Sequence, residues 1–278
     1  MKHLLVPTDF SVYANFAKDL AIKLATRSNG NITLLHTVDV LPSGWEQLSD
    51  TDQQATIKID EKLSVAHERM LATQRDAKEL GINLQISFRG GKLWEAIDKL
   101  VTSQSIDQIV MGSHGVSGKE EFFIGSNTQK VVRNVNCDVL IIKNKIPSIH
   151  FPKVVFATGL DISEQPIFQR FLQMLSLFDT EEVHILTVNT PGFFSQPTVV
   201  VQESLKDFAN MVSDFKCETH FISDITVDAG VRNFNEKIEA DLMAISDEGK
   251  NSLIRMFTGS NVEFLVNHAE VPVLVLKK

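Results

Sequence analysis

The stretch MGSHGVSGKEEFFIGSN, residues 111–127, holds four glycines and one lysine, and almost nothing that could form a covalent intermediate. Glycine lets backbone N–H groups approach an anion with no Cβ in the way, and a helix starting behind the loop adds the positive end of its dipole. The chemistry open to such a stretch is the holding of a phosphate. Two standard phosphate motifs do not fit it. A G-x-x-x-x-G-K-[ST] loop aligned on Gly118-Lys119 requires glycine at 113 and a hydroxyl residue at 120, where the chain has Ser113 and Glu120. A dinucleotide fingerprint requires a G-x-G pair, and the glycines here fall at 112, 115 and 118. His114 has no carboxylate at local spacing that would make it a base, so it is read as a loop histidine.

The elements around this loop alternate regularly. HLLVP is a short apolar strand, and Ser11 behind it can cap a helix that places Tyr13, Phe16, Ala17, Leu20, Ala21 and Leu24 on one face. NITLLHTV (31–38) reads as a second strand. A long polar helix is expected around 51–80, closed by Gly81. INLQISF is a third strand, LWEAIDKLV a helix and DQIVMG a fourth strand; after the glycine loop a helix begins near Ser126, and DVLIIK is strand five. Short apolar strands alternating with helices predict a parallel sheet covered on both faces.

The pattern occurs twice. DQIVMGSHGVSGKEEFFIGSNTQKVVRNVNCDVLIIK (107–143) aligns without gaps on 241–277 at an offset of 134, which carries Gly115 to Gly249 and Gly125-Ser126-Asn127 to Gly259-Ser260-Asn261. HLLVPTDFS resembles KVVFATGLDIS (153–163), and a two-residue insertion would pair Asp9-Phe10-Ser11 with Asp161-Ile162-Ser163. Phe168, Phe171, Leu172, Leu175 and Phe178 repeat the buried helical stripe. Two modules of ordinary domain length are predicted, 1–146 and 151–278, linked by NKIPSIHFP (144–152).

Composition limits the partners. The chain has 278 residues, 43% apolar and 22% charged, with a formal net charge of −8, so no general electrostatic grip on nucleic acid or anionic lipid is expected. The first residues, MKHLLVPTDF, carry an apolar run too short for a signal segment, and no run of 18 apolar residues occurs, so a cytoplasmic location is predicted. Cys137 and Cys217 are read as small buried hydrophobes, and no metal site is predicted.

VPTDFS after strand one, LLHTVD in strand two and VMGSHG followed after nine residues by GSN resemble the universal stress protein family in its tandem form. The resemblance implies two tandem open-sheet modules, each a five-stranded parallel sheet with helices on both faces, of the Rossmann-like adenine nucleotide alpha hydrolase type. It also implies ATP as the ligand, with Mg-ATP admitted. Nucleotide-binding positions would be Pro7, Met111 and His114, with Asp9 against adenine, Thr37 as a backbone contact to the base, Gly112 and Gly115 near ribose and phosphates, and Gly125, Ser126 and Asn127 at a helix start. The second copy is expected to be degenerate, with Asp161, Gly249, Gly259, Ser260 and Asn261 at its site, Ser246 at the first glycine position and Asp247-Glu248 beside it. In the family the fifth strands pair antiparallel, so the two copies would form a pseudo-dimer within one chain; homodimer formation is left open. Three functional readings follow: a stress-response regulator that binds ATP and an unidentified protein partner, a slow ATP hydrolase, or a nucleotide-independent scaffold whose second copy takes another ligand. In the third, 191–204 would line the site; a core-and-loop role is the plainer reading of that stretch.

Overall fold

The computed structural model describes residues 1–114, 125–190, 197–246 and 271–278. The first half contains β1 (His3–Pro7), α1 (Val12–Ser28), β2 (Asn31–Val38), α2 (Asp50–Ile59), α3 (Glu61–Glu79), β3 (Leu84–Gly90), α4 (Leu93–Gln104), β4 (Gln108–Gly112), α5 (Ser126–Asn134) and β5 (Asp138–Ile142). The second contains β6 (Lys153–Ala157), α6 (Gln165–Leu175), β7 (Glu182–Asn189), α7 (Thr198–Ala209), β8 (Lys216–Ser223), α8 (Val227–Ile238), β9 (Leu242–Ser246) and β10 (Val273–Leu276). A 3₁₀ turn, Ile162–Glu164, precedes α6.

The strands form one ten-stranded sheet in the order β3-β2-β1-β4-β5-β10-β9-β6-β7-β8. Every pairing within a half is parallel. Among the described residues the single antiparallel pairing joins the halves, with Val273, Leu274 and Val275 opposite Ile141, Leu140 and Val139. It is the strand-five pairing that the resemblance implied, and it removes two apolar edges that would otherwise face water. β1 and β4 are neighbours although α1 to α4 lie between them in sequence, so the winding reverses there.

Helices cover both faces. Leu4 and Val6 lie in an apolar cluster with residues of α1 and α3, while Leu5 lies in another with residues of α4 and α5, which is why β1 reads as an apolar run. In the second half Phe156, Phe168, Phe171 and Phe208 form one aromatic cluster, with Phe156–Phe168 ring centroids 4.7 Å apart. Truncating any one of them to alanine would cost about 3–5 kcal/mol. Beyond the sheet, α1 grips the linker: Lys23 Nζ donates to the carbonyls of Ile146 and Pro147 at 2.8 and 2.9 Å.

One element differs from expectation. The helix expected over 51–80 is two helices, because Asp60 adopts extended backbone (φ −91°, ψ 113°) and its carboxylate accepts from Leu63 N–H at 3.0 Å, starting α3 afresh. Gly81 lies where the stop was expected, at φ +76°.

Candidate functional site

The end of β1 is a tight turn built by side chains. Thr8 N–H continues the sheet onto Leu35 O at 2.8 Å. Its hydroxyl accepts from Phe10 N–H at 3.0 Å, and Phe10 sits at φ +63°. A positive φ on a phenylalanine is held only by its surroundings, here that hydrogen bond and the His36 ring 4.9 Å away. Asp9 Oδ1 then accepts from Ser11 N–H at 3.0 Å, and Ser11 Oγ accepts from Ala14 N–H at 3.1 Å, the expected cap of α1. The result holds the Asp9 carboxylate at the carboxyl end of the sheet.

The opposite wall is the end of β4 with the start of α5. A Cβ on Gly112 would lie 2.6 Å from the Tyr13 carbonyl carbon, so glycine is required there for α1 to cross β4. Packing against α1 is thus a sufficient reason for this glycine. Thr128, buried in the first turn of α5, donates through Oγ1 to the Gly112 carbonyl at 3.1 Å, and Gly125 N–H donates to Ser113 O at 2.9 Å. These bonds fix the helix start beside the strand end. Gly125 is the N-cap and provides no side-chain acceptor, so the N–H groups of Ser126 and Asn127 have no acceptor among the described residues. Such N–H groups carry the positive end of the helix dipole.

Between the walls lies a cleft of about 680 Å³, a size suited to a small molecule. Pro7, Asp9, Thr37, Met111, Gly112, His114, Gly125, Ser126 and Asn127 all line it; Gly115 lies outside the described residues. Five further lining residues are not among the predicted site residues: Thr8, Ala14, Asp39, Leu93 and Thr128. Thr128 was legible as the hydroxyl residue following Gly125-Ser126-Asn127, but its role depends on which carbonyls stand opposite. The described lining carries two carboxylates, Asp9 and Asp39, and no lysine or arginine. Attraction for an anion there comes from backbone N–H groups.

The second half repeats the turn with a different register from the one expected. Thr158 Oγ1 accepts from Leu160 N–H at 2.9 Å, Leu160 has φ +61°, and Asp161 caps the following turn, each 150 positions after Thr8, Phe10 and Ser11. No insertion separates the copies between the start of β1 or β6 and this turn. Asp161 therefore corresponds to the cap Ser11, and the position of Asp9 is taken by Gly159, which has no carboxylate. Its cap is reciprocal: Asp161 Oδ1 accepts from Ser163 N–H at 3.0 Å, and Glu164 Oε1 accepts from Asp161 N–H at 3.4 Å.

Glu164 stands at the offset of Ala14 and is buried, its Oε2 accepting from Thr158 Oγ1 at 2.8 Å. Loss of water around the carboxyl pushes its pKa up to about 7, against the lowering effect of the bonds from Thr158 and Asp161. Where the first half leaves a methyl group on the cleft floor, the second buries an acid. Ser246 occupies the offset of Gly112, and the segment matching the first turn of α1 is the 3₁₀ turn Ile162–Glu164. Gly249, Gly259, Ser260, Asn261 and the Asp247-Glu248 pair lie outside the described residues. From 191–204, residues 191–196 are likewise outside; Val201 packs in the core through α7.

The universal stress protein family matches residues 1–143 and again 150–277. A universal stress protein of Synechocystis sp. is 24% identical over an alignment of 295 positions that covers 100% of both chains. One from Methanocaldococcus jannaschii is 28% identical over 155 positions, 52% of this chain and 96% of its own. Among solved structures, a universal stress protein from Archaeoglobus fulgidus superposes with a TM-score of 0.74 at 22% identity, across 99% of this chain and 98% of its own, which speaks to the fold. Matched in both halves, this chain belongs to the universal stress protein family, as a tandem of two copies.

Proposed function

We propose that this chain is a cytoplasmic stress-response binding protein with modules at 1–146 and 151–278, and that the first module holds ATP. The observation that carries the reading is the cleft in which Asp9, the ends of β2 and β4 and the helix-start residues Ser126 and Asn127, whose N–H groups have no acceptor among the described residues, face one space. Asp9 and Thr37 would take the base, Gly112 and His114 the ribose side, and Gly125, Ser126 and Asn127 the phosphates, at a helix N-terminus suited to them. Two carboxylates in the lining oppose a polyanion, so affinity rests on the helix end and on a divalent cation carried in with the nucleotide.

Binding suits this site better than turnover. Hydrolysis requires a positioned water and charge stabilisation on the transferred phosphoryl group, and no lysine or arginine lines the described cleft. The second module, with Gly159 in place of the acid and Glu164 on the floor, supports a reading in which it does not take ATP in the same way. Bound ATP would then alter the surface offered to a protein partner.

Native mass spectrometry followed by calorimetric titration of Mg-ATP tests this. One ATP per chain is expected, with binding lost in Gly125→Val and weakened in Asp9→Ala. No heat at millimolar ATP would overturn the nucleotide reading, and two equivalent sites would overturn the assignment to one module.

A further inference from the structure

The outer strands of the second half carry a group of side chains with no part in the cleft. His184 on β7 is the register partner of Glu218 on β8, and His220 follows Glu218 by two residues, so all three project from the same face of the sheet. His184 Nδ1 lies 3.0 Å from His220 Nε2, and Glu218 Oε2 lies 3.9 Å from each of those nitrogens. A triangle with those sides has its centre about 2.1 Å from every corner, the bond length that zinc makes to imidazole nitrogen and carboxylate oxygen.

We propose that His184, Glu218 and His220 form a binding site for a zinc-class divalent cation, with a fourth position left to solvent. Two borderline imidazole nitrogens beside one carboxylate oxygen suit zinc, and cobalt(II) in its place, better than magnesium or calcium. The ligand atoms are already converged; to admit a fourth ligand in tetrahedral geometry the His184–His220 nitrogens give up their 3.0 Å contact and separate by about a few tenths of an ångström, with the cation above their plane.

The surroundings match what such a site needs. On the far side of the His184 ring, Nε2 lies 3.4 Å from Glu182 Oε2 without a formed hydrogen bond, close enough that a small rotation would make the carboxylate–imidazole pair that orients a ligating histidine. Lys216 Nζ holds Glu182 Oε1 at 2.9 Å and Glu218 Oε1 at 3.1 Å, which leaves Glu218 Oε2 for the cation. His184 is 4% exposed, and Phe234 of α8 packs against His220 with ring centroids 4.5 Å apart, giving the site a dry wall. The corresponding lattice positions in the first half are Thr33, Gln85 and Ser87, which form no such set.

Cobalt(II) and zinc(II) titrated into the full chain supply the test. One cobalt per chain with the intense visible bands of a tetrahedral site, displaced by zinc, is expected for the wild type. Glu218→Gln and His220→Asn, both on side chains that reach solvent, should abolish those bands while far-ultraviolet circular dichroism stays unchanged. Glu182→Gln should weaken binding by about 10- to 100-fold through loss of ligand orientation. Absence of tetrahedral bands in the folded wild type would overturn the proposal. So would equal zinc affinity in wild type, Glu218→Gln and His220→Asn, since the cation would then lie elsewhere.

Discussion

The turn after β1 and the turn after β6 are one backbone built twice. A threonine hydroxyl accepts from the second residue on, that residue sits near φ +60°, and the next residue caps a helical turn. The side chains supported by the shared backbone have diverged. At matching positions the first half has Asp9, Ala14 and Gly112, which leave a cleft with a carboxylate at its side; the second has Gly159, Glu164 and Ser246. The outer strands diverge the other way, with Thr33, Gln85 and Ser87 against His184, Glu218 and His220. A repeated fold fixes where a site can form, and a few residues decide which half uses which end.

The comparison is most easily broken at Gly112. Gly112→Val forces a side chain into the Tyr13 backbone and should cost about 3 kcal/mol or more in a urea titration, whereas Ser246→Gly should change the midpoint little. Equal sensitivity of the two positions would mean that the helix crossing is alike in both halves.

Glu164 gives the next effect, with a definite sign. The folded chain binds this proton more tightly than the unfolded one, so its contribution favours the folded state at acid pH. That contribution is lost as pH rises from the ordinary glutamate range through 7. A pKa pushed up to about 7 corresponds to about 3 kcal/mol between the two limits. Glu164→Gln, which keeps an acceptor for the Asp161 N–H, should remove that loss, so thermal melts of the two proteins should diverge increasingly from pH 5 to 8. In the first half Ala14→Gln provides no such pH dependence.

Thr128→Val comes third. It removes the hydroxyl bond to the Gly112 carbonyl and should cost about 1–2 kcal/mol by chemical denaturation, with weaker ATP binding as α5 loosens from β4. The sequence already has Val262 at the matching position of the second half, a residue outside the described range. The smallest effect is at Asp39, where Asp39→Asn should strengthen Mg-ATP binding a few-fold in calorimetry by removing one opposing charge. No gain there would place the phosphates away from the β2 end.

Much of this was open to inspection in the residues themselves. Strands β1 and β4 are buried on both faces, so their sequences are unbroken apolar runs; Ser11 precedes a periodic stripe, and Gly81 ends one. Asp60 was legible as a capping residue, yet inside a continuous polar pattern nothing marked it as the break between α2 and α3. The repeat register after β6 is hidden in the sequence because Asp-x-Ser occurs in both copies at positions two residues apart relative to the hydrogen bonds that define the turn.

Local pattern and internal repetition determined the element types and the two copies, because those depend on periodicity, capping and glycine along a few neighbouring residues. Only the tertiary structure decided that Gly112 is dictated by Tyr13, that Glu164 is buried under Thr158 and that His184 meets residues 34 and 36 positions away on β8. The physical reason is strand pairing: register across a parallel sheet is set by how whole faces pack, and no short stretch of sequence carries that information.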